Sequence, residues 1–298
     1  MGATQRTNVW AYDRNHECAL AQLHDLDAPV RFGGLVVSTP CMVLVDVPAA
    51  DEAIATITLN NPAKRNALSL DMMQALIAAL HQVSDTPSVR GILVAANGPV
   101  FSAGHDFSDM AGADLAFLRE LLTTCTELMT LVQEVPQPVL AKVHALATAA
   151  GCQLVASCDL AVSADTAHFA LPGGKGGLFC TTPLVAVARN VGRKRALELA
   201  MTGDPIDAAT AADWGLINRA VPGDSLNEVC VDLLRRATRG SAFAKGIGKS
   251  AYYAQIDMAQ PDAYAYAIEV MAANAAGPDG QEGIASFLDK RPPVWQNR

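Results

Sequence analysis

The sequence predicts an α/β fold, with a mainly parallel sheet covered by crossover helices and a helical region towards the C-terminus. Two observations support this prediction. Between residues 53 and 164, short apolar runs of strand type alternate with apolar residues at helical spacing, an order typical of parallel sheets. After about Val221 the strand signals end and helical patterns continue to Arg291, which indicates a helical subdomain.

The first strand–helix–strand unit follows residue 53. The run IATITL (Ile54–Leu59) is β-branched and is followed by turn residues, which predicts a strand and a loop. Apolar residues at helical spacing between Ser69 and Ser84 predict a helix with Ser69 as its N-cap. GILVAA (Gly91–Ala96) is short and apolar, as in a strand covered on both faces.

The same order of elements repeats further along the chain. Helical spacing over 114–134 precedes the apolar run VLAKVHA (Val139–Ala145), and TAAGCQLVASC and DLAVSA then predict one more helix and strand. We place a core domain at residues 51–221 and a C-terminal helical subdomain at 222–298. Residues 1–50 contain no motif, and we expect them to be an N-terminal extension of unknown role on the surface.

Composition and charge argue against several classes of function. The formal net charge of −8 disfavours nucleic acid as a partner. The seven cysteines are scattered without a CxxC pair, which favours reduced thiols over disulfides or a metal site. No apolar run reaches the roughly 18 residues of a membrane span, and four acidic residues among the first 30 argue against a transit peptide. We therefore expect a cytoplasmic protein with no membrane partner.

Two loop-to-helix junctions suggest a site for a developing negative charge. In FSAGHD, Ala103–Gly104 permit a tight turn that leaves the backbone N–H of His105 free. In ATAAGCQ, small residues open a helix whose first N–H groups lack intrahelical partners. Either motif alone also fits close helix–sheet packing. Two such N–H groups converging on one point would form an oxyanion hole, which suits a thioester carbonyl that becomes an enolate.

Five ordered segments together resemble the enoyl-CoA hydratase/isomerase (crotonase) family over about residues 53–295. The segments are ITLNNPAKRNALS (57–69), FSAGHDFSDM (101–110), PVLAKVHALATAAGCQLVASCDLAVSADTAHFALP (138–172), GRKRALELAMTGDPIDAATAADWGLINRAVP (192–222) and GQEGIASFLDKRPPVW (280–295). The resemblance implies a crotonase-like spiral of ββα units, a C-terminal helical region that makes oligomer contacts, and homotrimers that often pair into hexamers. It also implies that the oxyanion-hole donors are the backbone amides of His105 and Ala150.

The resemblance further implies where the CoA part of a substrate would lie, with no separate cofactor and no metal. The residues along CoA would be Lys64, Arg65, Ala67, Leu68 and Ala103. Lys64 and Arg65 could meet phosphates by charge-assisted hydrogen bonds, although a solvated basic turn would have the same sequence. Phe287 and Lys290 could reach and cover a CoA site, either that of their own chain or that of a neighbouring subunit.

The sequence departs from the family pattern at two positions. Hydratases of the family use two glutamates to position and activate water, and Gln153 and Gly173 stand at these positions here. A carboxamide is not basic at neutral pH and glycine has no side chain, so neither residue can act as a general acid or base. Ordinary hydratase or isomerase chemistry is therefore in doubt.

Three other side chains are candidates near the site. His105 could donate a proton near pH 7, or it could be a solvent-facing residue of which only the backbone matters. Cys180 precedes a predicted helix, whose N-terminus could lower the pKa of its thiol, although a buried inert cysteine is the favoured alternative. Asp106 is expected to cap or brace its own loop.

Three functions remain open at this point. The first is an acyl-CoA lyase of enoyl-CoA hydratase type with altered catalytic residues. The second is a decarboxylase of malonyl-type CoA esters, because some family decarboxylases share the Gly-His-Asp loop. Loss of CO2 needs an oxyanion hole and an apolar carboxylate pocket rather than two glutamates. Against this function, Phe179 stands near the position where a tyrosine would help. The third is a non-catalytic acyl-CoA binder.

Overall fold

The structure, a computed structural model, describes residues 8–12, 18–21, 30–32, 35–37, 41–49 and 53–298, the first four ranges as backbone only. The strands are β1 (Asn8–Tyr12), β2 (Cys18–Ala21), β3 (Val30–Phe32), β4 (Leu35–Val37), β5 (Val43–Val47), β6 (Ala53–Leu59), β7 (Val89–Ala96), β8 (Val139–Val143), β9 (Ala147–Thr148), β10 (Leu160–Ala164), β11 (His168–Ala170), β12 (Ile206–Asp207) and β13 (Arg219–Val221). The α-helices are α1 (Leu70–Ser84), α2 (Phe107–Met110), α3 (Leu115–Glu134), α4 (Ala150–Ser157), α5 (Thr181–Val191), α6 (Arg193–Thr202), α7 (Ala208–Trp214), α8 (Leu226–Ala237), α9 (Ala242–Gln255), α10 (Gln260–Ala276) and α11 (Pro278–Leu288).

The main sheet has the strand order β13-β10-β8-β7-β6-β5-β1-β2. Its strands from β6 to β13 pair in parallel, as the alternation of strands and helices predicts, whereas β5, β1 and β2 pair antiparallel. A second, three-stranded sheet has the order β12-β11-β9. Its strand β9 leads directly into α4, and the start of α4 is one of the two predicted loop-to-helix junctions.

The main sheet begins earlier than the sequence indicates. Strand β5 pairs with β6, and Val43, Val45 and Val47 are buried in the core. The described strands β1, β2 and β5 therefore extend the sheet beyond the predicted boundary at residue 51. Strand β5 was not recognised in the sequence because it is short, follows Pro40 and carries Asp46 on its other face.

Helices α1 and α3 pack together beside the sheet and supply much of the core. The predicted N-cap of α1 is confirmed, because the Ser69 Oγ accepts a hydrogen bond from the Met72 N–H at 3.2 Å. Asp114 caps α3 in the same way, accepting from the Phe117 N–H at 2.8 Å. These caps satisfy N–H groups that a helix start would otherwise leave unpaired.

The predicted C-terminal helical region is also observed: residues 222–298, all of them described, contain helices α8–α11 and no strand. Among the described residues, no helix is both long enough and apolar enough to cross a membrane.

A buried ionic cluster holds α9 against the core. The Lys249 Nζ lies 2.7 Å from Asp159 Oδ2 and donates to the carbonyls of Val132 and Gln137, both at 2.9 Å. The Tyr253 hydroxyl donates to Asp159 Oδ1 at 2.8 Å. Burial raises the pKa of Asp159 and lowers that of Lys249, while their mutual attraction opposes both shifts. The cluster therefore tolerates loss of one partner poorly.

We expect Lys249→Met to lower the free energy of unfolding by about 3 kcal/mol, because removing one partner leaves a buried carboxylate uncompensated. Lys245→Met, on the exposed side of the same helix, is the matched control and should change stability by less than about 0.5 kcal/mol. Urea unfolding followed by circular dichroism measures both variants. Equal stability of the two variants would show that the cluster does not fasten α9.

Candidate functional site

Two free backbone amides mark the site. Among the described residues, neither the His105 N–H nor the Ala150 N–H has a hydrogen-bond acceptor. Ala150 is the first residue of α4, where intrahelical acceptors do not exist. The segments that carry the two amides are in contact, because a Cβ placed on Gly104 would lie 3.2 Å from the Ala150 nitrogen and 2.8 Å from the Ala149 Cβ. Gly104 has a φ of +85°, so a side chain would be strained there as well as crowded.

The residue before α4 is held in an unfavourable conformation. Ala149 has φ 51° and ψ −121° and makes no side-chain cap to the helix. Its N–H donates to the Ala170 carbonyl at 2.9 Å, and its own carbonyl accepts from the Gln153 N–H at 3.0 Å. The pairing of β9 with β11 thus imposes a conformation that favours glycine and turns the Ala150 N–H away from the preceding strand.

The NPAKRNAL turn (residues 61–68) and the FSAGHD loop (residues 101–106) are joined by hydrogen bonds. These are the Ala103 N–H to the Arg65 carbonyl at 3.0 Å, the Ser102 Oγ to the Asn66 carbonyl at 2.8 Å, and the Leu68 N–H to the Gly104 carbonyl at 2.7 Å. The turn predicted to contact CoA is therefore attached directly to the loop that carries the His105 amide.

The predicted CoA contacts differ in what they can offer a ligand. Lys64 and Arg65 are exposed, and Ala103 is half-buried. Ala67 is 8% exposed and Leu68 0% exposed, backbone included, so in this conformation they leave a ligand almost no surface to contact.

Lys64 and Asp106 form an ion pair beside the turn. The Lys64 Nζ lies 2.8 Å from Asp106 Oδ2. Asp106 also caps α2, because its Oδ1 accepts from the Ser108 N–H at 2.9 Å. Burial alone would raise the pKa of Asp106, but the hydrogen bonds from Lys64 and Ser108 hold it below its ordinary value. The expected bracing role of Asp106 is what the structure shows.

The two positions without glutamate lie in tightly packed surroundings. Gln153 is 5% exposed, and its Oε1 lies 4.0 Å from the Cys125 Sγ. A Cβ on Gly173 would overlap the carbonyl oxygen of Leu178 and lie 2.8 Å from the Cys180 Sγ. Gly173 does not have a positive φ, so crowding rather than backbone conformation excludes a side chain. A glutamate cannot be restored here without moving the loop.

The His105 side chain fits neither of its two predicted roles. It is not a side chain that faces solvent, and it is not a proton donor. Its Nδ1 lies 3.2 Å from the Leu68 carbonyl oxygen, and its Nε2 is buried without a hydrogen-bond partner in the described part of the chain. Burial lowers the pKa of His105, although the Leu68 carbonyl and Asp109 partly oppose this effect. The imidazole is therefore neutral near pH 7 and poorly suited to donate a proton.

The prediction of an activated Cys180 is also wrong. Cys180 is 7% exposed at the N-terminus of α5, and burial raises the pKa of its thiol. The Gly173 N–H donates to its Sγ at 3.3 Å, but this hydrogen bond lowers the pKa by less than burial raises it. The thiol stays protonated at neutral pH and is a poor nucleophile.

Phe287 and Lys290 lie apart from these segments within one chain. Phe287 is 83% exposed and lines an apolar groove with Ile284, Leu288 and Trp295. That groove includes no residue of the NPAKRNAL turn or the FSAGHD loop. Lys290 follows α11 in a left-handed conformation, φ 54°.

Sequence reasoning missed two residues that hold the site together, Asn66 and Ser102. Asn66 is fully buried with φ 50°. Its Oδ1 accepts from the Asn61 N–H at 2.8 Å, and its Nδ2 donates to the carbonyls of Asn97 and Val100. The sequence offered one signal for these two residues. Each is a small polar residue in a short motif that is otherwise apolar, NAL for Asn66 and FSAG for Ser102.

We expect Ala149→Gly to leave stability unchanged or raise it by up to about 1 kcal/mol, because glycine removes the strain at a positive φ. Ala150→Gly, one residue further on and inside the helix, should lower stability by about 0.5–1 kcal/mol. Urea unfolding of the two variants makes the comparison. A larger loss for Ala149→Gly than for Ala150→Gly would contradict the strained conformation.

Comparison with known proteins identifies relatives that match most of the chain. The enoyl-CoA hydratase domain-containing protein 3 of Xenopus laevis is 45% identical over 260 residues, covering 86% of each chain. That relative is named as a mitochondrial protein, so the prediction of a cytoplasmic protein is wrong. The prediction rested on the acidic residues among the first 30 and on the length of the apolar runs, and these features do not identify a compartment.

Solved structures confirm the predicted fold. An enoyl-CoA hydratase from Mycobacterium smegmatis has a TM-score of 0.81 and 42% identity, with 85% of this chain and 98% of that chain covered. Human enoyl-CoA hydratase domain-containing protein 3 has a TM-score of 0.80 and 42% identity, with 84% and 99% covered. The sequence profile described as enoyl-CoA hydratase/isomerase matches residues 49–298. The chain belongs to the enoyl-CoA hydratase/isomerase family.

Proposed function

We propose that this protein binds acyl-CoA thioesters and stabilises a thioester enolate between the backbone amides of His105 and Ala150. The observation that carries the proposal is the contact between two segments that each present an N–H without an acceptor. Backbone donors fixed in this way favour the transition state most when negative charge develops on the bound oxygen. The start of α4 adds the positive end of its dipole.

In this proposal the CoA part lies along the NPAKRNAL turn. Lys64 and Arg65 are exposed cations at the outer end of the turn, where they would meet phosphate groups. Ala103 is half-buried and would contact the ligand near its thioester, whereas Ala67 and Leu68 are buried and would support the turn beneath it. Phe287 and Lys290 would act on the site of a neighbouring subunit, because within one chain Phe287 lines a different groove.

Hydration is the nominal reaction, because relatives such as the Mycobacterium smegmatis protein are named enoyl-CoA hydratases. The candidate side chains near the site are poorly suited to supply a proton in that reaction at neutral pH. His105 is neutral, the Cys180 thiol is protonated, and the place of a Gly173 side chain is filled by Leu178. Each positioned acid–base group typically contributes ~10²–10⁴-fold, so hydration of crotonyl-CoA should be slow.

Decarboxylation of a malonyl-type CoA ester is the second candidate, and the same neutral surroundings favour it. The electron pair of the bond to the carboxylate carbon moves towards the thioester carbonyl as CO2 leaves. The amides hold the resulting enolate, and water then protonates its carbon. A carboxylate in poorly solvated surroundings loses CO2 more readily. Phe179, 37% exposed, offers no hydroxyl to assist.

Titration calorimetry with acetyl-CoA and longer acyl-CoAs should show saturable binding. Lys64→Ala/Arg65→Ala should weaken it about tenfold at low salt and flatten its salt dependence, because exposed phosphate contacts are screened. Arg193→Ala/Lys194→Ala, an exposed basic pair on α6, is the matched control and should leave affinity unchanged. An absence of heat with all ligands would refute acyl-CoA binding.

Turnover assays on crotonyl-CoA and malonyl-type CoA esters separate the two reactions. Crotonyl-CoA hydration at an ordinary enzymatic rate, on the order of 10 s⁻¹, would mean that other groups replace the glutamates. Release of CO2 from a malonyl-type ester would support decarboxylation. Binding without turnover of any ester would leave a non-catalytic acyl-CoA binder.

We also propose that the protein is a homotrimer or a dimer of trimers. Helix α10 has no buried residue in one chain and exposes Tyr264, Ile268 and Met271 along one face. Helix α11 adds Phe287 and Leu288. Exposed apolar area of this extent is typical of subunit interfaces.

Ile268→Lys/Met271→Lys should shift the sedimentation coefficient from a trimer or hexamer towards a monomer at micromolar concentration, because the lysines would place unpaired charges in the interface. Glu269→Lys, exposed beside this face, should leave the assembly intact. A wild-type protein that sediments as a monomer would contradict the proposal.

A further inference from the structure

Ser102 contacts both segments that carry the free amides. It is fully buried, and its Oγ donates to the Asn66 carbonyl at 2.8 Å and accepts from the Gly104 N–H at 3.3 Å. The second of these bonds fixes the peptide between Ala103 and Gly104, one residue before the peptide that carries the His105 N–H. The Ser102 hydroxyl thus connects the NPAKRNAL turn to the position of the His105 amide.

The backbone of Ser102 also supports the start of α4. Its carbonyl accepts from the Thr148 N–H at 3.0 Å, two residues before Ala150. A Cβ on Gly151 would lie only 2.6 Å from the Ser102 carbonyl oxygen and 2.8 Å from the Ser102 Oγ. The helix therefore rests on Ser102 with no space for an intervening side chain.

We propose that Ser102 is a positioning residue that sets the distance between the His105 and Ala150 amides. Through Ser102, this distance depends on whether a ligand is bound along the NPAKRNAL turn. The inference rests on the proposed acyl-CoA function. Ser102 need not touch the substrate, because its hydroxyl acts through the Gly104 peptide on one side and through the Asn66 carbonyl on the other.

The link has a consequence for substrate recognition. Binding of the CoA phosphates and ribose along the turn would fix the Asn66 carbonyl, and through Ser102 it would fix the FSAGHD loop. Binding energy from a remote part of a substrate can in this way serve the reacting carbonyl. A thioester of full CoA should therefore have its carbonyl polarised more strongly than the same thioester of pantetheine.

The probe for this test is para-dimethylaminocinnamoyl-CoA, whose absorption moves to longer wavelength when its carbonyl accepts hydrogen bonds. With the wild-type protein we expect a clear red shift, and a smaller one with the pantetheine ester at saturation. In Ser102→Ala the shift with the CoA ester should fall by about half or more, whereas the Kd should change by less than about threefold because the phosphate contacts remain. The CoA and pantetheine esters should then give similar shifts.

Ser163→Ala is the matched control, since Ser163 is equally buried and its Oγ has no hydrogen-bond partner among the described residues. It should leave the red shift unchanged. If Ser102→Ala does not fold, Ser102→Cys carries the test, and its shift should lie between that of the wild type and that of the free ligand. A full red shift in the folded variant, Ser102→Ala or Ser102→Cys, would refute the role of Ser102 but leave the proposed function standing. Failure of the wild type to bind the probe would overturn this inference together with the proposed function.

Discussion

The site depends on one steric constraint, the direct contact between the backbone of the FSAGHD loop and the first turn of α4. Gly104 and Gly151 make this contact possible, since a Cβ at either position would press into the opposite segment. The sheets bring the two segments together: Ser102 pairs with Ala147, and β9 pairs with β11. Two N–H groups are left without acceptors where the segments meet. Chains normally satisfy such groups, so leaving both free is a cost that a ligand carbonyl can offset.

The chemistry available at this contact comes from the backbone. Backbone amides need no particular protonation state, so stabilisation of an oxyanion by them does not require charged side chains. Burial keeps Cys180 and His105 neutral, because it raises the pKa of Cys180 and lowers that of His105. In the proposed function, this arrangement would support reactions that pass through an enolate but would not easily activate water. Gln153 and Gly173 on one side and the two free amides on the other are consistent with that restricted set of reactions.

Local features of the chain were predictable from its sequence. The helix that begins at Leu70 has its cap in Ser69, and the alternation of strands and helices predicts the parallel pairing from β6 to β13. A site at these two junctions could be anticipated because small residues at a helix start and in a tight turn are local signals.

Features that depend on distant contacts were not predictable in this way. Strand β5 was missed because its partner β6 supplies most of the evidence for it. The direction of the Cys180 pKa shift depends on how much of the thiol the fold buries, and the helix N-terminus alone suggested the opposite direction. The crowding at Gly173 comes from Leu178, five residues further on, through a loop conformation that composition does not specify. Ser102 and Asn66 could be recognised only after the segments they join were seen together.

A crystal structure with a bound acyl-CoA would locate the thioester oxygen relative to the two amides. The oxygen should lie about 3 Å from both the His105 and the Ala150 nitrogens, with the CoA part along the NPAKRNAL turn. An acyl-CoA whose thioester oxygen contacts neither amide, or that binds elsewhere on the protein, would contradict the assignment of an oxyanion hole at this contact.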